Sequence, residues 1–573
     1  MDHSSDKLWL TRQVAIALMA GVVSIVPQVA YGMPQGMEGS AASSINAATK
    51  TMTVTGTETN NVVGWQDFSI QQDEAVHFAG AGKNYLNLVK GQGSSFIDGT
   101  LKSDGGNVYL VNPNGIIFGA GAKVDVGAGT FAASTQAIAP VNQAAFGTDG
   151  TCVLSAAGTT MDVVNLIDPT KGYIKANRVE MAGRNIRFMN TDSIQTTGAT
   201  VNLRSNTDAA VVNAGNGYVH VGYDAAVNDA YNDPTVKTIE AKAAELTTAG
   251  WKVNDQALDK SNAYMLIQNA AQLQNMQTKA DGNYMLGGDI TLTGEFTPIS
   301  TFAGNFDGNF YTIYDLTVKT NKLDAHGNPP SPTTPAGLFA QVTGVGSADE
   351  TRSRIENVLF GKKVSGTNIS ANTYDYAGVV AGVANNALFQ NIGIKEGGQV
   401  AEDASDEWMS GGIVGSADDV IIRSSYNEHT CRGGGIVGTV TSKTKIYDVY
   451  NTGKVQYGII GSDRQGAIIE RVYSTQADKN KMWADWVGYA TKSSAWDKIA
   501  GNLTNGYFYF SDTPVTNAEI GLGSLYKRYD TFIHGTKLQN MPNESLIPWG
   551  EAYISADGGA RTTWRIHSDV SGQ

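Results

Sequence analysis

Short apolar runs separated by glycine, asparagine and aspartate recur along most of this chain. Each run is too short for a buried helix, and several alternate like a strand with one buried face. In the clearest case, the runs Val108–Val111 and Ile116–Phe118 flank a turn at Asn112–Gly115. Pro113 fixes φ within such a turn, and its last two residues tolerate a positive φ. The pattern predicts strand, turn and strand, as in a stacked β-coil.

The same pattern extends from Met52 to about Tyr223, which we interpret as one β-solenoid block with an inner column of Val, Ile, Leu and Phe. Two short helices should follow. Apolar residues from Val236 to Leu246 recur at spacings of three and four, and Asn269 is a good N-cap for residues 270–276. We expect both helices to cover an end or edge of the solenoid rather than to bind a partner.

A repeat dominates the region that follows. Its clear units are glycine-bounded apolar quartets, the last three of them 23 residues apart, and they begin at Gly337, Gly412, Gly435 and Gly458. A fixed period in this range indicates stacked supersecondary units. We expect the glycines to permit turns at the corners of each coil. Tyrosines recur at equivalent positions and should stack as a ladder; they are Tyr426, Tyr450 and Tyr473.

These patterns together predict an all-β fold, a right-handed parallel β-helix with a short helical insertion and an irregular C-terminal cap. The high glycine count, 66 of 573 residues, suits the many tight turns of such a fold. The predicted domains are a signal peptide (1–32), a β-helix domain (33–223), a helical connector (224–283), a repeat solenoid (284–476) and an aromatic-rich cap (477–573).

The N-terminus is typical of a secretory signal. Lys7 and Arg12 precede the largely apolar run Val14–Val26, and small residues at 30 and 32 suit cleavage after Gly32. The alternative is a membrane anchor, but this run is shorter than the roughly 20 residues a span needs. We expect no membrane span in the mature chain. The net charge of −13 argues against nucleic acid as a partner.

Five blocks between Ala48 and Thr135 resemble the haemagglutination-activity domain of filamentous haemagglutinin-like exoproteins, which are exported by two-partner secretion. The blocks are Gly64–Phe68, Val76–Phe78, Leu86–Gly91, Ser95–Leu101 and Asn112–Ile116. The resemblance assigns a role in secretion to the turn residues Asn112, Pro113, Asn114 and Gly115. It also implies an outer-membrane β-barrel transporter as partner and a secreted or cell-surface location in a Gram-negative bacterium.

The second half, about Tyr264–Thr475, is similar to the GLUG repeats of bacterial surface proteins. Taken together, the two resemblances imply an adhesin that attaches to a cell, a matrix or a neighbouring bacterium through a receptor that the sequence does not name. A carbohydrate-active β-helix enzyme and an exoprotein that binds haem or an iron carrier are the alternatives.

Catalytic signatures are scarce. The chain has no phosphate-binding loop, no nucleophile elbow and no zinc helix of the His-Glu-x-x-His type. His429 and Cys431 are two ligands at most, which is too few for zinc. Among carboxylates, Asp307 falls in a turn pattern, adjacent Asp418 and Asp419 would face opposite ways in a strand, and the acidic run 402–407 suits a solvated loop. We therefore expect no enzyme activity, no cofactor and no bound metal.

Cysteine usage gives no disulfide framework. Cys152 and Cys431 are the only two cysteines, and they lie far apart in sequence. We expect both to be unpaired and partly buried, with a single long-range bridge as the alternative.

Overall fold

The computed structural model describes residues 32–159, 161–207, 217–224, 239–326, 328, 330–348, 351–371, 375–400, 409–451, 453–455, 459–463, 467–474, 503–508 and 527–528. These residues fall into two compact units that meet in sequence at Leu266 and Ile267. The fold is mostly β with mostly parallel sheets, which confirms the all-β, β-helix-like prediction. The right-handed coil remains a prediction.

In the first unit the coils contribute strands to three parallel ladders. The first ladder contains Thr51–Gly56, Ala75–Ala79, Thr100–Ser103 and the leading parts of Lys123–Ser134 and Tyr173–Gly183. The second contains Asn60–Trp65, Asn84–Val89, Val108–Val111, the trailing parts of those two long strands, Thr200–Ser205 and Trp251–Val253. The third contains Ser95–Ile97, Ile116–Phe118, Val163–Asn165, Ile186–Phe188, Val219–Tyr223 and Ala263–Ile267.

We number the coils from the N-terminus, so that the first four begin at Thr51, Ala75, Thr100 and Lys123. Apolar side chains repeat in register inside them because alternate residues of a strand face the same side. One such buried column consists of Met52, Val76, Leu101, Val124 and Ile174.

Two antiparallel strands precede the first coil. Glu38–Gly39 pairs with the strand Asn60–Trp65, and Ala41–Asn46 pairs with Thr51–Gly56. They cover backbone groups that the first coil would otherwise expose, a common way to protect a sheet edge.

In the part of the chain that the structure describes, three α-helices interrupt the strands: α1 (Pro140–Asp149), α2 (Ile239–Thr248) and α3 (Ala270–Asn275). Short 3₁₀ turns occupy Thr191–Ser193 and Met276–Lys279. The sequence predicted α2 and α3, and Asn269 caps α3 as expected by accepting from the Gln272 amide at 2.9 Å. It did not predict α1. Among the described residues, no helix combines the length and apolar composition that a membrane crossing requires.

The second unit is built from more regular coils. Its longest ladder contains Asn283–Leu286, Ile290–Thr291, Asn305–Asp307, Thr312–Tyr314, Ser353–Gly361, Ala387–Ile394, Ile421–Asn427, Lys445–Asn451, Ile468–Ser474, Leu503–Phe508 and Lys527–Arg528. A second contains Phe339–Thr343, Ala381–Asn385, Val414–Asp418, Val437–Ser442 and Ile460–Asp463. A third contains Thr317–Lys319, Asn368–Ser370, Gln399–Val400 and Thr430–Cys431, and Ala377–Gly378 pairs with Ser410–Gly411.

The repeat prediction agrees with this register. Val414, Val437 and Ile460 of successive quartets are Cα partners, and so are Tyr426, Tyr450 and Tyr473. The tyrosines therefore occupy one backbone position on consecutive coils. Stacking of their rings stays a prediction, because the side chains at 450 and 473 are outside the described set.

Parts of the predicted organisation lie outside the described residues. These are the signal segment before Gly32, the acidic run 402–407, the repeat glycine Gly458 and the cap from 477 onward, apart from its strands Leu503–Phe508 and Lys527–Arg528.

Candidate functional site

The turn Asn112–Gly115 forms the corner between the second and third ladders in the third coil. The Gly115 amide donates to the Asn112 carbonyl at 3.1 Å, which closes the predicted turn. Gly115 has φ +111°, a value that suits glycine, whereas Asn114 does not have a positive φ. The expectation of a positive φ was therefore correct for Gly115 only.

Asn112 connects this corner to the coils on either side. Its side chain is fully buried, and its Nδ2 donates to the Gly93 carbonyl at 2.9 Å and to Ser95 Oγ at 3.0 Å in the second coil. Its backbone amide donates to the Ser134 carbonyl at 2.9 Å in the fourth coil. Its Oδ1 accepts from the Asn114 amide at 2.9 Å. Asn112 thus satisfies polar groups of three successive coils.

Asn114 adds a second link to the same neighbour. Its Nδ2 donates to the Gly91 carbonyl at 2.7 Å. Gly91 in turn approaches the first coil so closely that a Cβ there would lie 1.9 Å from the Gln66 carbonyl oxygen. The corner positions of the first three coils are therefore stacked with almost no free space, and the residue types of this motif follow from that stacking.

Two aromatic residues of the first coil, Trp65 and Phe68, lie on either side of Gln66 in the sequence. Trp65 is fully buried, donates from Nε1 to Asn87 Oδ1 at 3.0 Å, and meets Phe68 edge to face at 5.3 Å. Asn87 of the second coil donates in turn from Nδ2 to the Tyr109 carbonyl of the third coil at 3.1 Å. Burial raises the pKa of nearby Asp67, an effect that a hydrogen bond from Ser69 opposes.

The repeat glycines of the second unit also lie very close to the backbone of a neighbouring coil. A Cβ at Gly412 would lie 2.1 Å from the Gly435 carbonyl oxygen, and one at Gly337 would lie 2.7 Å from the Gly378 carbonyl oxygen. Neither Gly337 nor Gly412 has a positive φ. Both residues nevertheless lie in bends just before a strand, as expected for the corner of a coil, and the close approach of the neighbouring coil is a second reason for glycine there.

Two carboxylates come together in this unit. Asp307 and Glu356 are Cα partners on adjacent strands, and an oxygen of each lies within 4.8 Å of the other. Such a separation is near the roughly 5 Å of retaining glycosidases. Both side chains are at most 1% exposed, however, and Asp307 accepts from the Asn309 amide and from Asn357 Nδ2. A polysaccharide does not reach groups buried in this way.

Of the adjacent aspartates Asp418 and Asp419, the second forms an ion pair with Arg352. Asp418 ends a strand, and Asp419 follows it with φ +52°. Burial raises the pKa of Asp419, but hydrogen bonds from Ser347 and Arg352 outweigh it and hold that pKa below the ordinary value. Arg352 Nη2 lies 2.7 Å from Asp419 Oδ1. The Asp419 carboxylate is therefore bound to Ser347 and Arg352.

His429 and Cys431 are both buried. Cys431 continues an inward column of Val318, Ile369 and Val400, and burial raises the pKa of its thiol to about 11. Burial lowers the pKa of His429 to about 4. Both cysteines of the chain are free thiols, which confirms the expectation that they are unpaired. Burial also raises the pKa of Cys152 to about 11.

One buried cluster of polar and aromatic side chains was not predicted from the sequence. His220 lies between the rings of Tyr218 and Tyr264, with centroid distances of 4.0 and 4.2 Å, and its Nε2 is 2.9 Å from the Tyr264 hydroxyl. Arg187 occupies the preceding strand in register with His220, donates to the Tyr218 hydroxyl and forms a buried ion pair with Asp162. Only the tertiary register brings these residues together.

Comparison with known proteins gives three findings. Residues 30–292 match the family model of the TPS secretion domain. A heme/hemopexin-binding protein of Haemophilus influenzae is 42% identical over 72 residues, which are 12% of this chain and 8% of that protein. The HMW1 secretion domain from Haemophilus influenzae, a solved structure, aligns over 84% of this chain and 96% of that chain with 13% identity and a TM-score of 0.23.

The matched segment includes every described coil of the first unit and the corner Asn112–Gly115. A TPS secretion domain implies a transporter partner of the two-partner type, and exoproteins that carry it are secreted or surface-associated. The match over residues 30–292 thus supports a two-partner-secretion exoprotein.

Proposed function

We propose that this chain is an adhesive exoprotein that leaves the cell through its transporter and attaches to a cell or matrix surface without catalysing a reaction. The match of residues 30–292 to the TPS secretion domain carries this proposal. The filamentous haemagglutinin-like and GLUG-type resemblances of the two halves favour adhesion over other roles of such exoproteins. The buried position of Asp307 and Glu356 disfavours the glycosidase alternative.

One outer face of the second unit supports the adhesive role. Alternate residues of its third ladder are buried, so their neighbours face outward. Those neighbours share one register on four successive coils and carry only uncharged hydrogen-bonding groups; they are Thr317, Asn368, Gln399 and Thr430. Each is partly or fully exposed. A receptor with many hydroxyl or amide groups would find complementary partners along this column.

Attachment can be measured directly with beads coated with the secreted chain on host cells, on extracellular matrix and on bacteria. We expect retention above uncoated beads on at least one surface. Thr430→Lys should reduce that retention, because the lysine places a charge within the uncharged column. Val345→Lys is the control, since Val345 is 89% exposed and lies outside the column. Equal retention of coated and uncoated beads on all three surfaces would contradict adhesion.

The haem alternative rests on the relative whose name includes heme and hemopexin, of which this chain matches only 8%. Titration of the secreted chain with hemin, followed by the visible absorption band, tests it. We expect no saturable shift at micromolar concentrations. A saturable shift with one site per chain would favour the haem-binding function over adhesion.

A further inference from the structure

The outer face of the first coils is apolar where a solenoid normally carries polar side chains. Val62, Leu86, Tyr109 and Ala132 occupy one register position on four successive strands of the second ladder. Their sequence neighbours Val63, Leu110 and Ala133 fill the interior and are fully buried. Strands that are apolar on both faces need a cover on the outer one.

Residues 136–159, which we call the strap, provide that cover. The strap leaves the fourth coil after Ser134, contains α1, and packs Ile138, Phe146 and Leu154 onto the outward column. The Phe146 ring is fully buried and meets Tyr109 edge to face at 5.6 Å. In consequence Leu86, Tyr109 and Ala132 are at most 4% exposed.

A ladder of asparagines fastens the C-terminal end of α1. Asn84 donates to Asn60 Oδ1 at 2.8 Å, and the Asn107 amide donates to Asn84 Oδ1 at 2.9 Å. Two of these asparagines also form hydrogen bonds to the strap: Asn60 Nδ2 donates to the Gly147 carbonyl at 3.3 Å, and Asn107 Nδ2 donates to the Gly150 carbonyl at 3.4 Å.

Gly150 fits this position for two reasons. It ends α1 with φ +72°, and a Cβ there would lie 2.3 Å from Asn84 Nδ2. Only glycine therefore fits at position 150, where the end of α1 contacts the asparagine ladder.

By itself α1 has little reason to form. It is ten residues long, has no side-chain N-cap and carries neither an acidic first turn nor a basic last turn. Helices shorter than about 12 residues are marginal in water. Its docking surface includes Asn60 in the first coil and Ala132 in the fourth. The strap consequently has a place to dock only when four coils are stacked in register.

We propose that the strap is a latch that closes on the first four coils after they have stacked and commits them to the folded state while later coils are still being exported. The export step rests on the proposed function. A contact such as Asn60 to Gly147 spans 87 residues, so its closing ties the start of the solenoid to a segment that emerges later. An opened coil then has to displace the strap before it can unravel.

Hydrogen exchange of the full secreted chain tests the latch without reference to export. With Phe146→Ala, we expect amides of Asn84–Val89 and Val108–Val111 to exchange faster by about tenfold or more, because local opening sets their rates. Val141→Ala on the same helix is the control, since Val141 is 72% exposed. Asn60→Ala should act in the same direction with a smaller effect and is a safeguard if Phe146→Ala does not fold. Faster exchange in α1 with unchanged rates in both strands would overturn the latch.

Secretion rates of the same variants test the second half of the proposal. In a strain that carries the transporter, we expect Phe146→Ala to be exported several-fold more slowly and Val141→Ala at the wild-type rate. Equal rates for both variants, with altered exchange, would overturn the coupling to export and leave the latch in place. Transporter-independent export of the wild type would instead refute the proposed function, so the two failures are distinct.

Discussion

The two units of this protein can be compared at the positions where their parallel coils make contact. In the first unit, side chains join coils that are distant in sequence: Asn112 bonds to coils on both sides, and Asn60 reaches the strap 87 residues later. In the second unit, adjacent coils meet backbone to backbone, as at Gly412 and Gly435. Contacts such as that of Asn112 depend on individual polar partners, and contacts such as that of Gly412 depend on the absence of a side chain. Each unit contains both kinds, as Gly91 in the first unit and Asp315 in the second show.

This difference predicts different sensitivities to substitution. Stacked repeats gain stability mainly from each interface with the next coil. A substitution that separates two coils of the second unit should therefore be costly wherever it falls in the stack. At a polar contact such as that of Asn112, the cost should depend on how many coils the replaced side chain connects.

The largest effect should come from Gly412→Ala. The added Cβ would lie 2.1 Å from the Gly435 carbonyl oxygen, a backbone atom that cannot move without disturbing the ladder. We expect a loss of about 3 kcal/mol or more in the free energy of unfolding, measured by urea denaturation. Gly288→Ala is the matched control, because its Cβ would meet nothing within 4 Å. Similar urea midpoints for the two variants would show that close approach is not the reason for the repeat glycine.

His429 should give the second unit a pH dependence. Burial lowers its pKa to about 4, below the value of about 6.5 in an unfolded chain. The unfolded state therefore binds the proton first, and stability is lost as the pH falls from about 6.5 towards 4, by about 3 kcal/mol in full. His429→Gln should flatten this slope, most visibly between about pH 6.5 and 5, where few carboxylates titrate. An unchanged slope in urea titrations across that window would contradict the assignment.

Asn112→Ala should have the next largest effect. The substitution removes the donor to Gly93 and Ser95 and the acceptor for Asn114, all in a buried corner. Loss of a buried hydrogen-bonding partner costs about 1–3 kcal/mol. Asn142→Ala on the exposed side of α1 is the control and should leave the urea midpoint within experimental error. A midpoint for Asn112→Ala equal to that of the control would show that the motif is not needed for stacking.

The smallest effect should come from Asp315→Asn in the second unit. Burial raises the pKa of Asp315, but amides of Lys363, Val364 and Gly366 donate to its carboxylate and hold that pKa below the ordinary value. This contribution is present above about pH 4, the unfolded value, and is lost as the pH falls through the folded pKa. The variant should therefore lose less stability on acidification than the wild type. A parallel loss in both proteins would contradict this assignment.

Regular features of the fold were accessible from the sequence because they depend on local pattern. The strands Val108–Val111 and Ile116–Phe118 occur where alternation and turn residues predicted them, and the 23-residue period of the quartets matches the register of Val414, Val437 and Ile460. The free thiols were also expected correctly.

The strap was missed because its stability comes from tertiary packing. Phe146 is the only buried residue of α1, so no helical periodicity marks it in the sequence. The sequence features that indicate the strap lie outside it, in the strands that it covers. Runs such as Val108–Val111 are apolar on both faces, and asparagines recur at 60, 84 and 107 at nearly the repeat spacing. Together these indicate a covered outer face with polar anchors beside it.

Export by the two-partner route can be tested by the fraction of the chain found outside the cell with and without the transporter. In matched strains we expect the wild-type protein on the surface or in the medium when the transporter is present, and in the periplasm when the transporter gene is deleted. Normal surface display in the deletion strain would contradict export by the two-partner route.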